Sequence, residues 1–284
     1  MKVPNNFGGL EKKFSGYQNA KIAILPIPFE KTSSWLFGSK NGPKAIITAS
    51  QNLELYDLET KTEVYRRGIF TAPPIKAESS SAMVKTARQK VKKLLADKKF
   101  VVALGGEHSV SLGPVQAHAE YFDNLSVLQL DAHADRRDAY LGDSYNHASI
   151  MARVQEITKN VVSVGVRSLD SSELKNINQN NVFYSHQIQD SKNWFGQAVK
   201  KLTKNVYLTI DLDVFDPAFV PQTGTPEPGG LNWYQVTGLL KAVAKNKNIV
   251  GFDVVELCPG QNKASDFLAA KLIYTLLSYK YYYS

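Results

Sequence analysis

Short, largely apolar runs alternate along the chain with longer segments in which apolar residues recur every three or four positions. Apolar runs of about four to eight residues are typical of buried strands. We expect strands at 21–26, 100–104, 125–130, 161–166, 181–185, 206–210 and 249–255. The helical periodicity predicts helices at 81–99, 112–121, 147–158, 194–202, 233–244 and 265–279. Residues 27–80 contain a long polar segment. The alternation predicts an α/β fold with a parallel sheet covered by helices on both faces.

Acidic residues and histidines stand directly after three of the predicted strands, those that end near residues 104, 130 and 210. They are His108, Asp131, His133, Asp135, Asp211 and Asp213. The carboxyl ends of parallel strands share one edge of a sheet, where ligands bind in open α/β folds, so we expect these side chains to converge. Within each cluster the spacing of two residues predicts side chains on one side of an extended backbone.

This set of residue types is typical of a two-metal hydrolytic centre. Carboxylate oxygens with imidazole suit Mn²⁺ first, and Zn²⁺, Co²⁺ or Ni²⁺ after it. The clusters contain no cysteine, which argues against a structural zinc site or an iron-sulfur site. A single Asp at a strand end is more often a turn former or a helix N-cap. Four carboxylates buried together without cations would, however, repel each other strongly and take up protons.

Composition excludes several classes of protein. We expect one domain over residues 1–284, because no linker or repeat divides the chain. The single cysteine, Cys258, cannot form an internal disulfide, which fits a reducing compartment and predicts a cytoplasmic protein. Neither a signal peptide nor a membrane-spanning run of about 18 apolar residues is expected. The net charge of +8 is spread over helix faces, so we expect no nucleic-acid partner.

Four motifs resemble the ureohydrolase family, the group of arginases, agmatinases and related guanidino-compound hydrolases. They are GGEHSVSLG (105–113), LDAHADRRDAYLGDSYNHAS (130–149), TIDLDVFDPAFVPQTGTPEPGGL (209–231) and GFDVVELCP (251–259). The similarity runs nearly from end to end. It implies a three-layer αβα fold with a mostly parallel eight-stranded sheet, and two Mn²⁺ ions per chain bridged by a hydroxide. It also implies a homo-oligomer, commonly a trimer or a hexamer.

In the family, each ion is held by one histidine and three aspartates. The resemblance implies that the residues around the first ion are His108, Asp131, Asp135 and Asp211. Around the second ion they are His133, Asp131, Asp211 and Asp213. Asp131 and Asp211 are therefore the expected bridging ligands.

Two further residues are the expected catalytic and substrate-binding groups. His147, in the motif NHAS, corresponds to the family's proton-shuttling histidine, and imidazole titrates near working pH. The alternative for His147 is an N-cap or loop histidine. Glu256 corresponds to the glutamate that pairs with the substrate guanidinium, which suits a two-oxygen contact. The chain departs from the family pattern at Gln222, where the family usually has glycine, and at Gln261 and Asn262, where an acidic residue is more common.

The segment 136–143 resembles agmatinases rather than arginases. Four Asp ligands balance two dications, and a hydroxide with Glu256 leaves roughly two negative charges, complementary to a guanidinium and an ammonium. The resemblance therefore implies hydrolysis of agmatine to putrescine and urea, within polyamine biosynthesis.

Three alternatives stay open. A sister ureohydrolase for arginine, guanidinobutyrate or formiminoglutamate would share the metal residues, and an inward Arg136 or Arg137 would favour a substrate with a carboxylate. A single-zinc deacetylase-like hydrolase would need only Asp131, His133 and Asp213. A non-catalytic binding protein would be expected to have lost ligands or the proton shuttle.

Overall fold

Eight parallel strands form one sheet in the computed structural model, which describes residues 3–140 and 142–284. The strands are β1 (Ile22–Ile27), β2 (Ile69–Thr71), β3 (Phe100–Gly105), β4 (Leu125–Leu130), β5 (Val161–Val164), β6 (Val182–Phe183), β7 (Asn205–Asp211) and β8 (Asn248–Val255). Their order across the sheet is β2-β1-β3-β8-β7-β4-β5-β6. The implied eight-stranded αβα fold is confirmed, with every strand pairing parallel.

Helices cover both faces of this sheet. They are α1 (Lys12–Ser15), α2 (Gly42–Ser50), α3 (Ser80–Ala96), α4 (Leu112–Tyr121), α5 (Ile150–Ile157), α6 (Ser185–Asp190), α7 (Trp194–Lys201), α8 (Trp233–Asn246) and α9 (Ala264–Tyr282). Alternate residues of β1 enter two separate cores, Ile22 and Ile24 on one face, Ala23 and Leu25 on the other. The first core contains α2, α7, α8 and α9, and the second contains α3, α4 and α5. No helix among residues 3–140 and 142–284 combines the length and apolar character needed to span a membrane.

The predicted strands and helices are present with shifts of a few residues at their ends. The helix expected at 147–158 begins as a 3₁₀ turn, His147–Ser149, and continues as α5. The stretch 27–80, which contains a long polar segment, also contains α2 and β2, which the sequence pattern did not predict. Strand β2 has only three residues and pairs on one side with β1, so its apolar signal is weak.

The order of the central strands positions the candidate site. Strands β3, β8, β7 and β4 are neighbours in that order. His108, Glu256, Asp211 and Asp131 stand at or just beyond the carboxyl ends of these four strands. Because the strands are parallel, all four residues lie along the same edge of the sheet.

Backbone contacts at the end of β3 hold the next residues at this edge. The amide of Gly106 donates to the Ile27 carbonyl at 3.0 Å, and its carbonyl accepts from the Glu256 amide at 2.8 Å. A Cβ at Gly106 would lie 2.1 Å from the carbonyl oxygen of Phe29. The close approach of two backbone segments therefore requires glycine at this position.

We predict that Gly106→Ala lowers the free energy of unfolding by more than about 3 kcal/mol, since overpacking against backbone cannot be relieved by a side-chain rotation. Urea unfolding measures this change. Gly16→Ala is the control, because a Cβ there meets only the Lys12 carbonyl, at 3.2 Å, and φ is −73°. Equal stability of the Gly106 variant and the wild type would contradict the tight backbone crossing.

Candidate metal centre and substrate cavity

The first cluster surrounds a buried ring nitrogen of His108. Its Nδ1 lies 3.1 Å from Oδ2 of Asp131, 3.1 Å from Oδ2 of Asp135 and 3.5 Å from Oδ2 of Asp211. None of these contacts has hydrogen-bond geometry, so Nδ1 is buried without a hydrogen-bond partner in the described residues. An unpartnered imidazole nitrogen among three carboxylate oxygens fits a divalent cation.

The other ring nitrogen of His108 is held by a polar chain within the sheet. Its Nε2 lies 2.8 Å from Oγ1 of Thr209, and that hydroxyl donates to Oδ1 of Asp253 at 2.7 Å. The Thr209 hydroxyl has one proton, so it accepts from Nε2–H of His108. In the neutral ring, the form that can bind a metal ion, this leaves the lone pair on Nδ1, the nitrogen that faces the carboxylates.

The second cluster shares Asp131 with the first. Nδ1 of His133 lies 2.9 Å from Oδ2 of Asp213 and 3.7 Å from Oδ1 of Asp131. The described residues thus contain two groups of side chains that can hold a metal ion, His108 with Asp131 and Asp135, and Asp131 with His133 and Asp213. Asp211 lies beside the first group, so all six predicted residues are brought together.

The expectation of an extended backbone within the clusters is wrong. Asp135 has a left-handed backbone with φ of 55°, and Asp213 lies in the 3₁₀ turn Leu212–Val214. The reason is that Asp211 also caps this turn, since its Oδ1 accepts from the Asp213 amide at 2.9 Å. The turn, rather than strand alternation, brings the two carboxylates together.

Burial is the largest cause of the raised carboxyl pKa values in the clusters, and repulsion between like charges adds to it. Burial, with repulsion from Asp213 and Asp131, raises the pKa of Asp211 well above its usual range. Burial, followed by repulsion from Asp131, raises the pKa of Asp135 to about 6. Although burial opposes it, interaction with Asp213 raises the pKa of His133 to about 10. Cations bound here would relieve this repulsion between carboxylates.

Buried polar side chains of neighbouring strands, together with Arg136, form a hydrogen-bonded group behind Asp131. Nε2 of Gln129 donates to Oδ2 of Asp131 at 2.8 Å, and Oε1 of Gln129 accepts from Oγ of Ser163 at 2.7 Å. Arg136 is buried here and donates to Ser163 at 2.8 Å and to the Ala134 carbonyl at 2.8 Å. Arg136 therefore does not line the cavity, whereas Arg137 does.

Sequence reasoning missed this supporting layer, which consists of Gln129, Ser163, Thr209 and Asp253. A usable signal was present, because each is a polar residue inside a largely apolar strand. Buried polar side chains are rare enough to require a partner, which would have pointed to the neighbouring clusters.

A cavity of about 300 Å³ adjoins both clusters. Its lining includes five of the six cluster residues together with His147 and Glu256. Trp35, Tyr140, Arg137 and Asp170 also line it, and the Trp35 side chain is 70% exposed. An elongated ligand can thus reach the clusters while its far end stays near the solvent.

Glu256 is held in an unusual backbone conformation beside the first cluster. Its φ is 65°, which is rare for a residue other than glycine. Its Oε1 accepts from the His108 amide at 2.6 Å, and a Cβ at Gly224 would lie 3.3 Å from its Oε2. Burial, with repulsion from Glu107, raises the pKa of Glu256 well above its usual range. The neighbourhood therefore favours a cation beside this carboxyl group.

His147 lies on the cavity wall, outside both clusters. Its Nδ1 is 3.0 Å from Oγ1 of Thr32, and its ring meets the Tyr140 ring edge-on at a centroid distance of 5.6 Å. Burial lowers the pKa of His147 to about 4, with further lowering by His108, His133 and Arg137. The ring is thus neutral near pH 7 in this arrangement.

The departures from the family pattern lie outside the cavity lining. Gln222 accepts from the Cys258 amide at 2.9 Å through its carbonyl, and its side chain packs over Gly260. Gln222, Gln261 and Asn262 do not line the cavity, nor does Cys258. The cavity wall near Glu256 therefore contains Gly224 and Thr225 but none of these departures.

Comparisons with known proteins find relatives in sequence and in fold. The model of the arginase family matches residues 20–278. The chain is 37% identical to the N(1)-aminopropylagmatine ureohydrolase of Synechocystis sp., covering 98% of this chain and 97% of that protein. It is 33% identical to the agmatinase of Pyrococcus horikoshii, covering 92% of each chain. The crystal structure of agmatine ureohydrolase of Thermoplasma volcanium matches with a TM-score of 0.88 at 30% identity, covering 99% of this chain and 95% of that one.

We predict that Mn²⁺ raises the Tm of chelator-treated protein by about 5 to 10 °C. The basis is a stabilisation of about 2.7 kcal/mol at one hundred times Kd and a shift of about 2 to 4 °C per kcal/mol. Asp131→Asn should remove most of the shift, because Asp131 belongs to both groups. Asp138→Asn is the matched control, since Asp138 is exposed and pairs with Lys175 at 2.6 Å. An unchanged Tm of the wild type would argue against a cation site.

Proposed function

The chain belongs to the arginase family and is a ureohydrolase, an enzyme that hydrolyses guanidino compounds, and on that premise we propose that it releases urea from agmatine with two Mn²⁺ ions. The resemblance noted in the sequence is thereby confirmed at the level of the family. The single observation that carries the proposal is the pair of His/Asp groups that share Asp131 beside a cavity lined by Glu256.

The six clustered residues are the proposed metal ligands. One ion would be held by His108 and Asp135, and the other by His133 and Asp213. Both ions would share Asp131 and Asp211. When bound, two divalent ions lower the pKa of water enough to supply a nucleophile at neutral pH and hold it in place. The orphaned Nδ1 of His108 supports this assignment on geometry alone.

Glu256 is the proposed anchor of the guanidinium group. Its Oε1 is fixed by the His108 amide, which ties the carboxyl group to the first cluster. A planar carboxylate next to a planar guanidinium orients the central carbon of the substrate toward the clusters. His147 lines the same cavity but touches neither cluster, so its neutral ring would first take up a proton released from the attacking water and then pass it to the leaving nitrogen.

The charge of the cavity favours a substrate with a second cation. Among the described residues, one arginine and six acidic side chains line it, the latter being Asp135, Asp170, Glu173, Asp211, Asp213 and Glu256. Two dications would leave the cavity mildly negative, which suits the ammonium of agmatine better than the α-carboxylate of arginine. Asp170, whose side chain is 42% exposed, is the proposed partner of that ammonium.

A second candidate substrate is N(1)-aminopropylagmatine. Relatives that are 37% identical over nearly the whole chain carry that activity in their names. The exposed Trp35 and Asp170 leave the far end of the cavity open, so a longer amine has room there. Agmatine would yield putrescine, and the longer substrate would yield the corresponding triamine.

The remaining alternatives have less support. A single-zinc hydrolase would use Asp131, His133 and Asp213, which does not account for the second group of possible ligands around His108. Arg137 lines the cavity and lies 3.6 Å from Asp170, so its charge is partly offset there and does not favour a carboxylate substrate strongly.

We also propose that the protein is a cytoplasmic homo-oligomer, a trimer or a hexamer. Light scattering would measure the mass of this assembly.

Urea release should be fastest with agmatine or N(1)-aminopropylagmatine and much slower with arginine, in an assay with Mn²⁺ and a panel of guanidino compounds. Asp170→Asn should raise KM for both amines about three- to fivefold, as for a partly exposed ion pair. It should leave the KM of butylguanidine, which lacks the second cation, unchanged. Arginine turnover equal to that of agmatine would refute the proposed substrate class.

His147→Asn should lower kcat by about 10² to 10⁴-fold, the contribution typical of a general acid-base group. Metal content, measured by elemental analysis, should stay at the wild-type value because His147 lies outside both clusters. Loss of an ion in this variant would instead identify His147 as a ligand.

Glu256→Gln should weaken binding of agmatine by about 2 to 5 kcal/mol, the cost of truncating one partner of a buried charge pair. The substitution keeps the size of the side chain, so the Tm and the metal content should change little. Inhibition by a guanidinium compound that is not hydrolysed measures the binding separately from turnover. Normal affinity in the variant would exclude Glu256 as the guanidinium anchor.

A further inference from the structure

Thr32 lies between the cavity histidine and a buried carboxyl group, in the connection from β1 to α2. Its Oγ1 is 3.0 Å from Nδ1 of His147 and accepts from the His147 amide at 3.1 Å. The same hydroxyl donates to Oε1 of Glu107 at 2.9 Å. We propose that Thr32, held by Glu107, is a positioning residue that fixes the orientation of His147 and the ring nitrogen that carries its proton.

The first step concerns the hydrogen bonds of Glu107. This residue is fully buried, and four donors from the described part of the chain surround its carboxyl group. Oε2 accepts from the amides of Lys31 and Thr32, both at 2.6 Å. Oε1 accepts from the hydroxyls of Ser109, at 2.6 Å, and Thr32, at 2.9 Å. All four partners are donors, so the carboxyl group acts only as an acceptor.

The second step concerns the single proton of the Thr32 hydroxyl. Since Glu107 takes that proton in a hydrogen bond, the oxygen has only lone pairs to offer His147. Nδ1 of His147 must therefore carry a hydrogen and donate it to Thr32. The neutral ring then has its lone pair on Nε2.

The consequence for chemistry follows from this tautomer. A ring whose Nδ1 is committed to Thr32 can exchange a proton with a ligand in the cavity only through Nε2. Without the hydroxyl, both tautomers would be populated and the ring would be free to rotate. The effect on turnover rests on the proposed function, whereas the tautomer itself is a property of the folded protein.

The arrangement also joins His147 to the cavity wall. Ser33, Ser34, Trp35 and Leu36 follow Thr32 directly and line the cavity. The amides that Glu107 holds belong to Lys31 and Thr32, at the start of this segment. Glu107 therefore fixes one wall and the orientation of His147 with a single side chain.

Nitrogen NMR of the histidine rings tests the tautomer directly, because protonated and unprotonated ring nitrogens have well-separated shifts. The chain has five histidines, so the His147 signals can be identified by their loss in His147→Asn. The spectra are recorded at pH 7 on full-length protein loaded with Zn²⁺, a diamagnetic ion that carboxylates and imidazoles also bind. We expect the hydrogen on Nδ1 in the wild type.

Three variants separate positioning from a structural effect. Thr32→Val should shift the hydrogen partly to Nε2 and lower kcat for agmatine about three- to tenfold, the size expected for one hydrogen bond, with little change in KM. Thr32→Ser should restore both the tautomer and kcat. Ser109→Ala is the matched control, since it removes a donor to Glu107 but leaves Thr32 in place, and it should keep the hydrogen on Nδ1.

The proposal is overturned if the wild-type ring carries its hydrogen on Nε2, or if Thr32→Val keeps the wild-type tautomer. It is also overturned if Thr32→Ser is as impaired as the Val variant while both keep the wild-type Tm. Absence of urea release from every guanidino compound would refute the proposed function, but the tautomer measurement would still decide the role of Thr32.

Discussion

Repulsion among four buried carboxyl groups is the constraint on which the rest of this molecule depends. Asp131, Asp135, Asp211 and Asp213 lie within reach of two imidazoles at the carboxyl edge of the sheet. In a low-dielectric interior such a set is unfavourable unless protons or cations neutralise it. Among the described residues, the two arginines beside this set do not pair with its carboxylates, because Arg136 donates to Ser163 and the Ala134 carbonyl, and Arg167 donates to backbone carbonyls such as that of Asp213. Divalent ions are the compensation that fits the geometry.

Hydrogen bonds from neighbouring polar groups fix the orientation of these side chains. Thr209 directs Nδ1 of His108 toward the carboxylates, and Gln129 holds Asp131. Asp211 caps the turn that carries Asp213. Each of these contacts orients a proposed ligand, and the orientation of a ligand affects the strength of metal binding. On the other side of the cavity, Thr32 does the same for His147.

The sequence predicts the strand ends well and the connections poorly. The bounds of β4 match the apolar run, and the rule that parallel strands share a ligand-binding edge is enough to bring His108, Asp131 and Asp211 together. Strand order is not encoded in local periodicity, so the insertion of β8 between β3 and β7, which places Glu256, could not be derived. The left-handed backbones of Asp135 and Glu256 depend on tertiary contacts. The Thr32–His147 contact joins residues 115 positions apart.

The most direct test of the account is anomalous X-ray diffraction from crystals of the protein grown with Mn²⁺, which locates the ions without reference to activity. The account predicts two manganese peaks per chain, about 3.5 to 4 Å apart as in other two-metal sites. One peak should lie within bonding distance of Nδ1 of His108, the other of Nδ1 of His133, and both should contact Asp131. A single peak, or peaks remote from these two nitrogens, would contradict it.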